Sequence, residues 1–371
     1  MPVAKRGGKP DNRLKKAWTA TLSDHCVGVA WSPDGRRVAA AAVSGPVAVL
    51  DAKTGSAVHT LAGHGFGTTA VAWQPGGSVI ATAGQDGKAR LWDAATGAEL
   101  RALDGGAAWV EHLAWTPDGR LLATAAGKTV RVWDASGGTV AEYPTHASTV
   151  AGVAWRPGSG ELAVAVYGGV VLRKLGEPPD AARTFPWKGS PLALAWSPNG
   201  KLLAHGNQDA TVHFWTADAA TPLQMSGYAS KVRELSWDYT SRYLATGGGP
   251  GVCVWDCGGK GPEGSTPQML QSGHNKTVSA VAWQRRGFLI ASGGRDGYLN
   301  LWQPANQKGP HVGEDHAPDA AKADLFVDLP AELKSLARTP GATGVEAIYG
   351  FCFHPKFAEN RTCFVCYTVS K

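Results

Sequence analysis

Short apolar runs alternate with turn-forming clusters along residues 18–304, and the alternation has a long period. An apolar stretch ending in Ala-Trp or Ser-Trp recurs at Trp31, Trp73, Trp115, Trp155, Trp196, Trp237 and Trp283, at spacings of 42, 42, 40, 41, 41 and 46 residues. A Trp or Leu follows 18 or 19 residues later, at Leu50, Trp92, Trp133, Trp215, Trp255 and Trp302. The fourth unit breaks this with VVLRKL around Leu172. Between the two markers each unit reads as strand, SPDG-like turn, strand, QDG-like turn, strand. Pro presets φ and Gly or Asn tolerates positive φ in such turns. Segments such as TVRVWD alternate apolar and polar positions with the period of a half-buried strand. A fourth strand, as in AELRAL, completes one four-stranded sheet per unit. Self-similarity at about 40 residues is the mark of a repeat architecture whose units bury their apolar faces on one another.

Outer strands are expected near residues 57–61, 98–103, 139–143, 182–186, 222–226 and 267–271. After Trp302 the sequence QPANQKGPHVGEDH reads as coil. A ring of sheets must pair its first and last members or leave two open edges. The segment Trp18–Leu22 (WTATL) is therefore expected to complete the seventh sheet. This gives an all-β chain: a basic arm over residues 1–16, a seven-bladed β-propeller over 17–304 with an N-terminal strand closing the last blade, and a short non-propeller extension over 305–371. Within that extension LPAELKSLA (329–337) reads as a short helix.

The unit resembles the WD-repeat family, in which a Gly-His dipeptide and a Trp-Asp ending frame about 40 residues. Blade 2 matches through Gly63-His64, Thr82, Asp86 and Trp92-Asp93; blade 7 matches through Gly273-His274, Ser292, Asp296 and Trp302. The resemblance implies an Asp–His–Ser/Thr–Trp hydrogen-bond chain in each, buried and structural rather than catalytic. The other blades depart from the pattern: Tyr228 stands where blade 6 should have His, and blade 3 has neither His nor Asp. The resemblance also implies partner-binding positions flanking the start of each inner strand. These include Trp109 and Glu111, and Lys231 and Arg233. The residue before the tight-turn Asp adds Gln85, Gln208 and Arg295. Trp109 lies outside the structural Trp pattern, and the three basic residues come from adjacent blades. Aromatic and Arg side chains are the usual anchors of interfaces, and a basic patch suits an acidic peptide or phosphate group.

Composition alters little. The net charge of +6 is concentrated in the arm, where six Lys/Arg and one Asp give +5 over residues 1–16. That arm reads as a solvated leader, and nucleic acid is not the expected partner. No apolar run reaches the roughly 18 residues of a membrane span, and no signal-like apolar region follows the arm, so the cytoplasm is the expected compartment. Cys363 and Cys366 are spaced C-x-x-C inside a strand-like run, where residues three apart face opposite sides; no metal site is expected. The chain has no phosphate loop, GxSxG elbow or HExxH motif.

The end of the chain is different. Gly350-Phe351-Cys352-Phe353-His354-Pro355-Lys356-Phe357, Asn360 and the run Phe364–Tyr367 resemble a strand-turn-strand of the sugar/sorbosone dehydrogenase family that uses pyrroloquinoline quinone. That resemblance implies a general-base role for His354 and, as an alternative reading, a fragment or truncated fusion of such an oxidoreductase. The leading expectation is a non-catalytic, monomeric scaffold that needs no cofactor and binds a protein or peptide on a propeller face.

Overall fold

The computed structural model describes residue 18 and residues 20–370, apart from 144, 179–180, 219–222, 259–261, 272, 286–288, 297, 303–323, 329–343 and 357–361. The described residues form seven four-stranded antiparallel sheets, one two-stranded sheet and no α-helix. Blade 1 comprises β1 (Cys26–Trp31), β2 (Arg37–Ala42), β3 (Val47–Asp51) and β4 (Ala57–Leu61), hydrogen-bonded in that order. Strands β5 to β28 repeat this scheme four at a time. They make blade 2 over residues 68–104, blade 3 over 110–143, blade 4 over 152–186, blade 5 over 191–225, blade 6 over 235–270 and blade 7 over 278–328. The protein is thus an all-β, seven-bladed propeller.

A twisted four-stranded sheet of Val, Ala, Leu and Trp has two apolar faces and cannot bury both alone. Each hydrophobic core therefore lies between blades. Val47, Val49 and Leu61 of blade 1 meet Trp73, Ile80 and Trp92 of blade 2. Val212 and Phe214 of blade 5 meet Trp237, Leu244 and Trp255 of blade 6.

Closure differs from the sequence expectation. The outer strand of blade 7 is β28 (Asp324–Asp328), whose backbone pairs Tyr298 with Asp328 and Leu299 with Val327. Residues 18 and 20–22 lie outside every strand, so WTATL does not complete the seventh blade, and the ring is not finished at residue 304. The run LFVD supplies an ordinary alternating edge strand, separated from Trp302 by a polar stretch that reads as coil. The segment 329–337, expected to be helical, and the arm 1–16 lie outside the described residues.

The C-terminal hairpin, β29 (Gly344–Phe353) and β30 (Cys363–Ser370), does not sit apart from the ring. It stands between blades 7 and 1. First strands touch in the cyclic order β1, β5, β9, β13, β17, β21, β25, β29 and back to β1. Local geometry gives the same answer. Phe353 pairs with Cys363 as Trp31 pairs with Val38. His354 N–H donates to Thr362 O at 3.0 Å, as Ser32 N–H does to Arg37 O at 3.0 Å. The inner-strand Trp of one blade donates to the preceding blade: Trp155 Nε1 to Ala114 O at 3.0 Å, Trp237 Nε1 to Ala195 O at 3.1 Å, and Trp31 Nε1 to Cys352 O at 3.2 Å. The residue after that aromatic reaches the turn glycine of the next blade: Gln74 to Gly119 O at 2.8 Å, Arg156 to Gly200 O at 2.7 Å, and His354 Nε2 to Gly35 O at 2.8 Å. The hairpin is the inner half of an eighth blade.

Ile348, Phe351 and Phe353 bury against Ala291 and Leu299 of blade 7. On the other side the ring of His354 meets Trp31 edge-on at 4.7 Å. Truncating Phe353 leaves a cavity at this joint, and Phe→Ala in a core costs about 3–5 kcal/mol. Urea denaturation of Phe353→Ala should show a loss of that order across the whole propeller transition. An unchanged midpoint would mean that the hairpin contributes nothing to the ring.

Candidate functional site: the loop-bearing face

The polar chains come first, because they decide which histidines are free for chemistry. In blade 2, His64 Nδ1 lies 2.9 Å from Asp86, His64 Nε2 lies 2.7 Å from Thr82 Oγ1, and Trp92 Nε1 donates to the same oxygen at 2.9 Å. In blade 7 the contacts of His274 with Asp296 and Ser292 are 3.1 and 2.8 Å, and Trp302 donates to Ser292 at 2.7 Å. Burial pushes the His64 imidazole below its ordinary pKa despite the Asp86 carboxylate. Both rings are enclosed and fully bonded, which suits fastening a loop to two strands.

The degenerate blades keep one requirement of this chain: each third-strand Trp N–H finds an acceptor. Trp133 donates to Thr124 at 3.0 Å, Trp255 to the Tyr228 hydroxyl at 2.8 Å, and Trp215 to His205 Nε2 at 3.0 Å. Tyr228 reaches Thr246 at 2.9 Å, so blade 6 retains a polar chain with a phenol in place of imidazole. In blade 4 the Trp position belongs to Arg173 rather than Leu172, since Arg173 pairs with Leu162 as Trp92 pairs with Ile80. Its guanidinium stacks over Tyr143 at 5.2 Å.

Blade 5 carries two buried histidines, His205 and His213. Desolvation pushes His205 down to about 3 and His213 down to about 4. His213 stacks on Trp187 at 3.6 Å, and neither of its ring nitrogens has a hydrogen-bond partner. Because the unfolded chain takes up these protons near pH 6.5, their stabilisation is full above that pH. It is lost as pH falls from 6.5 towards 4, by about 1.4 kcal/mol per pH unit for each neutral ring. Thermal melts of His213→Phe from pH 7.5 to 4.5 should therefore show a shallower acid decline than the parent, with the largest stabilisation, about 2 kcal/mol, at the acid end. Parallel curves would exclude the titration.

Loops entering the first strands share a face with the turns between second and third strands. Backbone bonds such as Gln85 N to Gly67 O (2.9 Å) and Arg295 N to Thr277 O (3.0 Å) tie the two sets together. Trp109 and Glu111 flank Val110, and Lys231 and Arg233 flank Val232; both valines are fully buried, and the flanking side chains are exposed. Arg295 and Gln208 are also exposed, while Gln85 is half-buried. Arg233 and Arg295 share one acidic neighbour. Both act electrostatically on Glu234, whose carboxyl burial raises above its usual range. Trp109 lies apart from them, because blade 3 is across the ring from blades 6 and 7.

Two further aromatics accompany Trp109 on this face. Phe66 is 91% exposed, in the left-handed conformation at φ 67°, on the loop between His64 and β5 (Thr68–Trp73). Tyr167, 60% exposed, sits in the second turn of blade 4 and is pinned by its N–H to Ser148 Oγ at 2.7 Å. With Trp109 at 53%, they form an aromatic arc over consecutive blades 2, 3 and 4. The sequence carries a signal for Phe66, a Phe between two glycines directly after a Gly-His pair.

His354 is placed against the catalytic role that the dehydrogenase resemblance implies. It is buried, its Nε2–H donates to Gly35 O, and its Nδ1 accepts from Lys356 N at 2.9 Å. Nε2 serves the joint with blade 1, and Nδ1 fixes the hairpin's own turn. Among the described residues no three His, Cys, Asp or Glu gather as a metal site, and no helix is long and apolar enough to cross a membrane.

Trp-centred blades of this period, two with the full polar chain, define a WD-repeat β-propeller. The chain belongs to the family described as the IFT122 first beta-propeller, which matches residues 25–262, and a WD domain, G-beta repeat, follows over residues 265–303. It is similar to the WD repeat-containing protein slp1 of Schizosaccharomyces pombe, with 27% identity over 60% of this chain and 43% of that protein. It is similar to the anaphase-promoting complex subunit cdc20 of Dictyostelium discoideum, with 26% identity over 47% of this chain and 35% of that protein. An Arabidopsis thaliana protein described as cell division cycle 20.1, cofactor of APC complex, is 30% identical over 31% of this chain and 24% of its own length. The chain spans less than half the length of these relatives. The computationally designed Ika8 protein shares the fold, with a TM-score of 0.64 and 22% identity over 76% of this chain and 84% of the designed one.

Proposed function

We propose that this protein is a non-catalytic scaffold that binds a protein or peptide across the loop-bearing face of its propeller. The observation that carries this reading is the aromatic arc of Phe66, Trp109 and Tyr167, large apolar side chains held in water by rigid loops. Such aromatics fill a partner's pockets at little entropic cost, and they dominate binding where interfaces have been dissected. The facing basic arc, Lys231, Arg233 and Arg295, favours a partner with acidic or phosphorylated residues at a fixed distance from its apolar anchors.

The relatives named as a cofactor or subunit of the anaphase-promoting complex support a place within an assembly. The protein acts as a monomer that brings partners together. The free thiols of Cys253, Cys257, Cys352 and Cys363 suit the reducing cytoplasm.

The test is affinity capture with the double variant Trp109→Ala/Arg233→Ala beside Tyr239→Ala, a control exposed outside both arcs. A partner retained by the parent and by the control should be lost by the double variant, since two anchors of this kind are worth about 2–4 kcal/mol each. Capture should also weaken with added salt. Equal capture by all three proteins would remove the site from this face.

A further inference from the structure

One place on each inner strand, three residues before its closing aromatic, faces the next blade and takes a small side chain. In six of the eight inner strands it is Gly or Ala: Gly28, Ala70, Gly152, Ala193, Ala280 and Gly350. The reason is close approach. A Cβ added to Gly28 would stand 3.4 Å from Val71 of blade 2, and one added to Gly152 would touch Leu194 of blade 5 at 4.0 Å. Two blades depart from the rule. Blade 3 has His112, whose ring bonds to the Val150 backbone of blade 4. Blade 6 has Glu234, a half-buried carboxylate where packing asks for a methyl group or less.

The local backbone is shaped to admit that carboxylate. Gly247 lies against it: a Cβ there would fall 2.6 Å from Glu234 Oε2 and 3.0 Å from Glu234 Cβ. The turn that follows, GGGPG over residues 247–251, lacks the polar pair that the same turn carries in blades 2, 5 and 7, Gln85-Asp86, Gln208-Asp209 and Arg295-Asp296. Val278 N–H donates to Gly249 O at 2.9 Å and Arg295 N–H to Thr277 O at 3.0 Å, so the turns of blades 6 and 7 meet at the start of β25 (Val278–Trp283). Glu234 Oε2 accepts from Arg233 N–H at 3.3 Å. Withdrawing a carboxylate from water is costly unless cations and donors repay it. Burial raises its pKa, and the Arg233 and Arg295 charges oppose the rise. The other charges nearby are committed or remote. Asp296 is held by His274 and the Asn275 N–H, and Lys231 is exposed on the entry loop. Residues 247–251 and 277–280 carry no charge.

We propose that Glu234 is a specificity-determining residue of the basic arc: a resident counter-charge that makes the arc select peptide segments with clustered carboxylates and couples their binding to uptake of one proton. This rests on the reading of the loop-bearing face as the partner surface. In the free protein Arg233 and Arg295 are partly offset by the Glu234 carboxylate. A single partner carboxylate gains little against that offset, whereas two or more outweigh it. Each one brought onto the arginines also adds negative charge beside Glu234, which favours its protonated form. The proton comes from solvent and goes onto a Glu234 oxygen, and the repulsion between host and partner carboxylates ends. The bound state therefore has the higher Glu234 pKa. Binding tightens as pH falls below that value and stops tightening once pH is below the pKa of the free state.

The probe is a hexa-aspartate peptide, acetylated and amidated, whose carboxyls stay ionised from pH 8 to 6. It is titrated into the full chain by calorimetry, in two buffers of different protonation heat. The parent should bind more tightly at pH 6 than at pH 8, by roughly threefold to tenfold, with proton uptake visible as a buffer-dependent heat. Glu234→Gln keeps the shape and removes the charge. It should bind more tightly than the parent at pH 8, by roughly threefold to tenfold for one like charge lost at this range, and with a flatter pH profile. Equal affinity of the two proteins at pH 8, or one pH slope for both, overturns the proposal and leaves the basic arc standing. Absence of proton uptake by the parent does the same and needs no variant. A peptide that binds neither protein, or that binds Arg233→Ala/Arg295→Ala as well as the parent, removes the arc as the contact surface and the proposal with it.

Discussion

Everything in this molecule depends on the sharing of cores between neighbouring sheets. No blade owns a core. Ile80 and Trp92 of blade 2 bury with blade 1, while Leu91 and Leu103 of the same blade bury with blade 3. A sheet without a neighbour would expose a face of Val, Leu and Trp, so the ring must close for any part of it to be stable. Six interfaces between complete blades and the one between blade 7 and the hairpin are apolar clusters. The joint between hairpin and blade 1 works differently. It relies on the Trp31 and His354 hydrogen bonds, their ring contact, and Trp18.

The repeated part of the fold was legible because its markers are large and regularly spaced. Trp31 through Trp283 announce the first strands, and PDG-like turns announce their ends. The joint was not legible because its residues do the same work with different chemistry. Phe353 takes the place of Trp and Cys363 that of an aliphatic residue, so a count of tryptophans passes over the hairpin. The strand at 324–328 obeys the ordinary alternation but lies far beyond Trp302, and WTATL was the nearer candidate for the same edge. The polar chains show the same limit. His64 and His274 were readable from spacing, but Tyr228 and His205 satisfy a Trp N–H from positions where a motif expects His or a hydroxyl.

The two halves of the loop-bearing face differ in kind. Phe66, Trp109 and Tyr167 offer shape, whereas Lys231, Arg233 and Arg295 offer charge that acts at longer range. Of the first group only Trp109 stood out in the sequence, because it falls outside the structural Trp pattern. Phe66 and Tyr167 are exposed by loop geometry, which spacing does not encode: a left-handed backbone in one case and a hydroxyl-pinned turn in the other. The buried imidazoles keep out of this chemistry. Asp86, Asp296 and Asn207 orient their rings, and burial keeps His64, His205 and His213 uncharged.

The joint at Trp31 and His354 makes the ring a chain with a clasp. A closed ring has no terminal member, so no blade can detach without breaking two interfaces. Once the clasp parts, the topology becomes that of a linear array with two free ends. Each end blade is then held on one side alone, and loss can proceed blade by blade from either end. Cooperativity in this protein is therefore a property of a few side chains around Gly35 and Cys352, the blade-building Trp31 among them.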